Sequence, residues 1–248
     1  MTKRFEGKVA IVTGAGRGIG AATANRLAAD GAKVAVVDRD LDVAEAVARA
    51  IVGSGGGAIA IHTDVSNPDA VKAMVDRTVA EFGALHLAVN NAGISSRPAP
   101  VADQTLEDWD HLIAVNLSSV FYCLKYEIPA ILAAGGGAIV NVSSIFGGRA
   151  LPYYAPYTAA KHGVVGLTRA VGLEYATQGL RVNALCPGMF DTPMGNSGGE
   201  HSDAVAAMIP LKRLGKPEEA AAVIGFLLSD EAAFVNASDY AADAGMLH

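Results

Sequence analysis

Apolar positions along this 248-residue chain alternate between two patterns. Short, almost wholly apolar runs rich in β-branched residues occur at Val9–Val12, Lys33–Val37, Ala58–Ile61, Leu85–Asn90, Ala138–Val142, Arg181–Leu185 and Asp239–Ala242. Between them, apolar residues recur at helical spacing over Ile19–Ala29, Asp42–Val52, Pro68–Phe82, Leu106–Ala133, Tyr157–Ala176 and Glu218–Leu228. Strands apolar on both faces and separated by helices predict an α/β fold: a doubly wound parallel sheet of about seven strands with helices on both faces. Gly55–Gly57 and Gly135–Gly137 stand where a helix must turn back into a strand, so they read as helix-ending turns. No linker, repeat or composition shift divides the chain, and residues 1–248 are expected to form a single domain. One long stretch, Pro187 to about Lys216, lacks periodicity and carries Gly195, Gly198 and Gly199; a loop of that length is usually functional.

Composition narrows the setting. Half the residues are hydrophobic (51%), 18% are charged and the formal net charge is −6. This suits a compact enzyme-sized core and gives no electrostatic footprint for nucleic acid or an anionic membrane. The apolar stretch after Met1-Thr2-Lys3-Arg4 is too brief for a signal-peptide core, and no run is long enough to span a bilayer. Cys123 and Cys186 form no close-spaced motif, so reduced thiols and a cytoplasmic location are expected. The histidines, His62, His86, His111, His162 and His201, show no metal-ligand spacing and His248 ends the chain; no metal is expected.

The first strand runs into Thr13-Gly14-Ala15-Gly16-Arg17-Gly18-Ile19-Gly20, which opens the first helix. Glycines at a strand–helix turn permit close backbone approach to a pyrophosphate, and the helix N-terminus supplies N–H donors. Asp38 ends the second strand, 18 residues beyond Gly20. A carboxylate there can accept hydrogen bonds from an adenosine ribose and would repel a 2′-phosphate, which favours NAD over NADP. Arg17 and Arg39 are nearby cations that soften this preference.

Tyr157 and Lys161 lie one helical turn apart, just after Pro156. A fixed ammonium beside a phenol favours the phenolate and lowers its pKa, which makes tyrosine useful for proton transfer near neutral pH.

Together these residues make the chain resemble the short-chain dehydrogenase/reductase family over essentially its full length. The resemblance is carried by Thr13-Gly14-x-x-x-Gly18-x-Gly20, Asn90-Asn91-Ala92-Gly93, Asn116, Ser144, Tyr157-x-x-x-Lys161 and Pro187-Gly188, in order and at matching spacings. It implies a Rossmann-type fold and a homotetramer packed through the helices containing Asn116 and Tyr157. It implies that Tyr157 is the general acid/base, that Lys161 lowers the tyrosine pKa and binds the nicotinamide ribose, and that Ser144 holds the substrate oxygen. Asn116 would hold a water linking Lys161 to solvent. Ser143 should point to the other side of its strand. For the cofactor, the resemblance implies Gly14, Arg17, Gly18, Ile19 and Gly20 at the pyrophosphate, Asp38 at the ribose and Asp64-Val65 at the adenine. Asn91, Ala92 and Gly93 would wall the site, and Pro187, Gly188 and Thr192 would lie along the nicotinamide. Asn236-Ala237-Ser238-Asp239 and Asp243-Ala244-Gly245 depart from the Thr-Gly and Asp-Gly-Gly of many relatives.

Met189, Phe190, Met194, Met208 and Ile209 suggest an apolar pocket for a hydrophobic or cyclic alcohol or ketone. Arg97 and Arg149 read as solvated surface arginines. The expected activity is NAD-dependent interconversion of a secondary alcohol and a ketone. Alternatives are an NADPH-dependent 3-ketoacyl-thioester reductase, which Asp38 disfavours, or a catalytically silent dinucleotide sensor or structural subunit.

Overall fold

The structure, a computed structural model, describes residues 3–194 and 202–247, so Gly195, Gly198, Gly199, His201 and His248 lie outside the described residues. Seven parallel strands form one sheet: β1 (Val9–Thr13), β2 (Lys33–Asp38), β3 (Gly57–His62), β4 (Leu87–Asn90), β5 (Gly137–Val142), β6 (Leu180–Pro187) and β7 (Asp239–Ala242). Their spatial order is β3-β2-β1-β4-β5-β6-β7. Described helices are α1 (Gly18–Ala29), α2 (Leu41–Gly53), α3 (Pro68–Phe82), α4 (Leu106–Ile113), α5 (Ser119–Ala133), α6 (Ala155–Glu174), α7 (Ser202–Met208) and α8 (Pro217–Leu228).

The period-2 alternation of the strands divides the core in two. Ala10, Val12, Val34 and Val36 pack with Ala24, Leu27, Ile224 and Leu227 of α1 and α8 on one face. Ile11, Ala35 and Val37 point the other way, toward Met74, Val75, Val120, Leu124 and Val164 of α3, α5 and α6. Both faces are therefore covered, which explains strands without polar alternation. The predicted glycine turns are present, with Gly55, Gly135 and Gly136 at positive φ (84°, 92° and 103°).

Chain direction out of the sheet reverses between β1 and β4, which are adjacent: β1 leads to β2 on one side and β4 to β5 on the other. Such a switch point leaves a crevice beyond the carboxyl ends of the strands, where doubly wound folds bind ligands.

Two expectations need correction. The long helix over Leu106–Ala133 is two helices joined by a π turn at Ala114–Ser118, immediately around Asn116. Helical periodicity cannot register one inserted residue, because apolar side chains continue through it. Second, the stretch from Pro187 is not all loop: it contains α7, and Phe190 pairs with Gly215 in a parallel bridge. Phe190 and Ile209 are buried, at 7% and 1% exposure.

Candidate active site

The glycine turn is built by its neighbours as much as by its own residues. Gly14 is at φ +61°, and a side chain there would press on the Ala92 backbone, 2.9 Å away. The Asn91 amide donates to the carbonyls of Thr13 (2.9 Å) and Gly14 (3.1 Å). The Thr13 hydroxyl accepts from the N–H groups of Asn91 (3.0 Å) and Ala92 (3.1 Å). The ends of β1 and β4 are thus laced together across the switch point. Asn91, expected at the wall of the dinucleotide site, spends its side-chain amide on shaping the turn.

Asp38 stands at the end of β2 with one carboxylate oxygen accepting from Gly16 N–H (2.9 Å) and the other from Asp40 N–H (3.1 Å). Arg17 is drawn outward into an exposed ion pair with Asp40 at 3.0 Å. Thr192 meets the turn from the far side, about a methyl's width from Gly18: a Cβ on Gly18 would lie 3.1 Å from its methyl group. At Gly14, Gly16, Gly18 and Gly20 the turn packs too closely on Ala92, Val43, Thr192 and its own carbonyl for side chains, which leaves bare backbone at the N-terminus of α1, a fit for a phosphate-bearing dinucleotide.

The catalytic candidates come from three elements. β5 delivers Ser143 and Ser144, the N-terminal half of α6 delivers Tyr157 and Lys161, and the π turn delivers Asn116. Ser143 turns away and donates to the Lys161 carbonyl at 2.9 Å, as its strand parity requires. The Ser144 hydroxyl oxygen accepts from Phe146 N–H at 3.2 Å and hydrogen-bonds the Tyr157 phenol. Phe146 packs edge-on against Tyr157, with ring centroids 6.0 Å apart.

Lys161 is buried, its Nζ donating to the Val142 carbonyl at 3.0 Å and lying 5.6 Å from the centroid of the Tyr157 ring. Burial lowers its pKa to about 8, with the neighbouring Cys186 acting the other way. The Tyr157 phenol is shifted upward by burial, against the hydrogen bond from Ser144. This reverses the expected direction. Loss of water at the phenol outweighs the Ser144 hydrogen bond, while the Lys161 ammonium is tied to the Val142 carbonyl.

Asn116 is fully buried. Its side-chain oxygen accepts from Ile94 N–H and its nitrogen donates to the Ile94 carbonyl, both at 2.8 Å. A helix-interior asparagine thus clamps the segment after β4. Gly93 sits in between: a Cβ there would be 2.7 Å from Asn116 Oδ1 and 3.6 Å from Lys161 Nζ.

Comparison with known proteins agrees with this arrangement. A family model described as "Enoyl-(Acyl carrier protein) reductase" (adh_short_C2) matches residues 14–247. Cyclohexanol dehydrogenase of Acinetobacter sp. (strain SE19) is 48% identical, over 98% of this chain and 96% of that protein. The chain belongs to the short-chain dehydrogenase/reductase family.

Other members include cis-4-hydroxycyclohexanecarboxylate dehydrogenase of Sinomonas cyclohexanicum, 44% identical over 99% of this chain and 98% of that protein. The crystal structure of levodione reductase superposes with a TM-score of 0.94 at 38% identity, covering 98% of this chain and 99% of that one. The chain is an NAD(P)-dependent alcohol–ketone oxidoreductase of this family.

As a short-chain dehydrogenase/reductase, its remaining predicted residues fall as follows. Asp64 is exposed, its carboxylate accepting from Ser66 N–H (2.9 Å) and Oγ–H (2.7 Å), and these bonds hold its pKa below the usual range. Asn67 caps α3. Val65 is buried. Pro187 ends β6, and Gly188 packs against Asp243, donating to the Ala242 carbonyl at 2.9 Å. Arg97 and Arg149 are exposed. Both cysteines are unpaired and buried. Among the described residues, no helix is long and apolar enough to cross a membrane. Sequence reasoning missed Phe146 and Ile94, whose roles here rest on a ring contact and main-chain atoms that carry no motif.

Proposed function

We propose that this enzyme oxidises a cyclic or otherwise hydrophobic secondary alcohol to the ketone, and catalyses the reverse, with NAD rather than NADP. The observation that carries the reading is the convergence of the Ser144 hydroxyl, the Tyr157 phenol and the Lys161 ammonium at the carboxyl end of the sheet. The names of the cyclohexanol and hydroxycyclohexanecarboxylate enzymes support the substrate class.

A bound nicotinamide dinucleotide supplies the hydride acceptor or donor. The glycine cradle and the N-terminus of α1 would hold its pyrophosphate. Asp38, pre-oriented by Gly16 and Asp40, would take the ribose hydroxyls and repel a 2′-phosphate. Ser144 accepts from Phe146 N–H, and its own proton, directed at Tyr157 here, would turn to the substrate oxygen when substrate binds. Tyr157 removes the alcohol proton in oxidation and returns it in reduction. Lys161 is the cation that favours the phenolate when this happens. Asn116 acts by fixing Ile94 and keeping Gly93 against Lys161.

Residues 1–248 act as one dinucleotide-binding and catalytic domain, with the region around 187–216 over the substrate. Exposed Trp109, Phe121 and Leu173 on α4, α5 and α6 support a homotetramer packed through these helices. Unpaired thiols fit a cytoplasmic setting.

The test is a titration with NADH and NADPH, followed by absorbance assays over cyclic and open-chain secondary alcohols. The expected result is tighter NADH binding, turnover of cyclic alcohols, and turnover lost in Tyr157→Phe with NADH binding kept. Preference for NADPH, or turnover that survives Tyr157→Phe, would overturn the reading.

A further inference from the structure

Beneath the site, a chain of neutral amides and hydroxyls runs through the sheet and ends on a glutamate. Glu127 of α5 is fully buried. Its Oε2 accepts from Asn90 Nδ2 at 3.1 Å, and the same amide nitrogen donates to Asn141 Oδ1 at 2.9 Å. Asn141 Nδ2 donates to the Thr168 hydroxyl (3.0 Å), which donates to the Val164 carbonyl (2.8 Å). Two buried atoms are left without partners in this chain, Glu127 Oε1 and Asn90 Oδ1. With a carboxylate both are acceptors, and neither can serve the other. A proton on Glu127 makes one of them a donor, and the carboxylic acid and the Asn90 amide can then close a two-bond ring. Every polar atom of the network then has a partner and no charge is buried.

The network touches the catalytic machinery at two places. Asn90 precedes Asn91, which laces the glycine turn, and Asn141 precedes Val142, whose carbonyl holds Lys161. We infer that Glu127, as a neutral acid paired with Asn90, is a positioning residue that fixes the carboxyl ends of β4 and β5, and so the glycine turn and Lys161.

The surroundings agree. Burial pushes the Glu127 carboxyl from 4.5 up to about 7, with the Asn90 hydrogen bond opposing it. The Cys123 thiol, one turn back on α5, is shifted well up by burial and by Glu127. Lys72 and Asp76 on α3 are ion-paired with each other at the surface, Lys125 on α5 lies over Tyr126, and Lys161 on α6 is bound to Val142. β4 and β5 present only amides. A carboxyl raised in the folded state binds more protons folded than unfolded between 4.5 and about 7, so stability falls as pH rises through that window.

Glutamine at 127 would mimic the neutral acid permanently. The experiment measures thermal unfolding of the wild type, Glu127→Gln and Glu127→Ala at several pH values from about 5 to 8, together with NADH dissociation constants. It adds infrared spectra of wild type and Glu127→Gln at the acid end of that range. The expected result is a melting temperature for Glu127→Gln that gains on wild type as pH rises. A carboxylic acid band should be present in wild type and absent from Glu127→Gln. NADH affinity should be kept in Glu127→Gln and weakened about tenfold in Glu127→Ala. Parallel unfolding curves for wild type and Glu127→Gln, no such band, or equal loss of NADH affinity in both variants would overturn the inference. The positioning role rests on the dinucleotide reading. The unfolding and infrared measurements need no ligand, so they separate failure of the buried pair from failure of that reading.

Discussion

Lys161 Nζ donates to the main-chain carbonyl of Val142 at 3.0 Å, so the cation of the site is pinned to the end of β5 rather than carried on a free side chain. Its pKa of about 8, lowered by burial, makes it a destabilising charge in the folded protein. The unfolded chain binds more protons than the folded one between about 8 and 10.5, so this loss of stability is fully present below about 8 and fades as pH rises to 10.5. Lys161→Met should therefore lower kcat by about 100-fold or more while raising the melting temperature at neutral pH. The stability gain should shrink as pH is raised above 8. Calorimetry and steady-state kinetics on the same samples would check both halves.

Asp38 carries both a structural and a selective task. Asn in its place keeps an oxygen for Gly16 N–H but removes the charge that repels a 2′-phosphate. Asp38→Asn should shift the NADPH/NADH affinity ratio toward NADPH by about tenfold, roughly 1.4 kcal/mol. Fluorescence titration with the two reduced dinucleotides measures it. An unchanged ratio would show that Asp38 does not face the ribose.

Close packing makes Gly20 intolerant of a side chain. A Cβ there would overlap the Gly14 carbonyl oxygen and lie 2.6 Å from Asn91 Nδ2, so the laced turn must open. Gly20→Ala should cost about 1–3 kcal/mol of stability and abolish measurable NADH binding. Gly53→Ala, where nothing lies within 4 Å, is the control and should be neutral or stabilising by up to about 1 kcal/mol.

Ala237 and Ala244 adopt positive φ values of 54° and 56°. An alanine there is strained by about 1–2 kcal/mol, partly offset because glycine loses more freedom on folding. Ala237→Gly and Ala244→Gly should each stabilise by about 0.5–1 kcal/mol, a rise of roughly 2 °C in melting temperature. Both lie in the C-terminal segments whose sequence departs from the family resemblance, and both keep a backbone conformation that favours glycine.

Much of this architecture was legible because burial imposes a pattern. Strands covered on both faces must be apolar throughout, so Val34–Val37 and Ile139–Val140 declared themselves, and a parallel sheet followed from alternation with helices; the strand order did not. Ser144, Tyr157 and Lys161 were readable because their chemistry depends on side chains at fixed spacing. The partners of those side chains were not. Val142 and Ile94 contribute main-chain atoms, which any residue supplies, and Asn91 and Asn116 gave no sign that their amides would be spent on the backbone. The burial of Phe190 and Ile209 was not legible either, because hydrophobicity alone does not say how deeply a loop residue is covered. The direction of the Tyr157 shift needed burial to be weighed against charge, and only the fold sets that balance.

The π turn at Ala114–Ser118 holds one residue more than a regular helix would use over the same rise. That extra residue is taken up within the turn itself, where Asn116 sits between α4 and α5. Asn116 turns inward to Ile94, while Phe121 farther along remains half in solvent. Deleting a single residue here would return the segment to a regular α turn and leave α4 and α5 near their present phase, so the change would fall on Asn116 and its hold on Ile94. The spacing of main-chain atoms in this one turn thus reaches the site through Ile94 and Gly93 rather than through a reactive side chain.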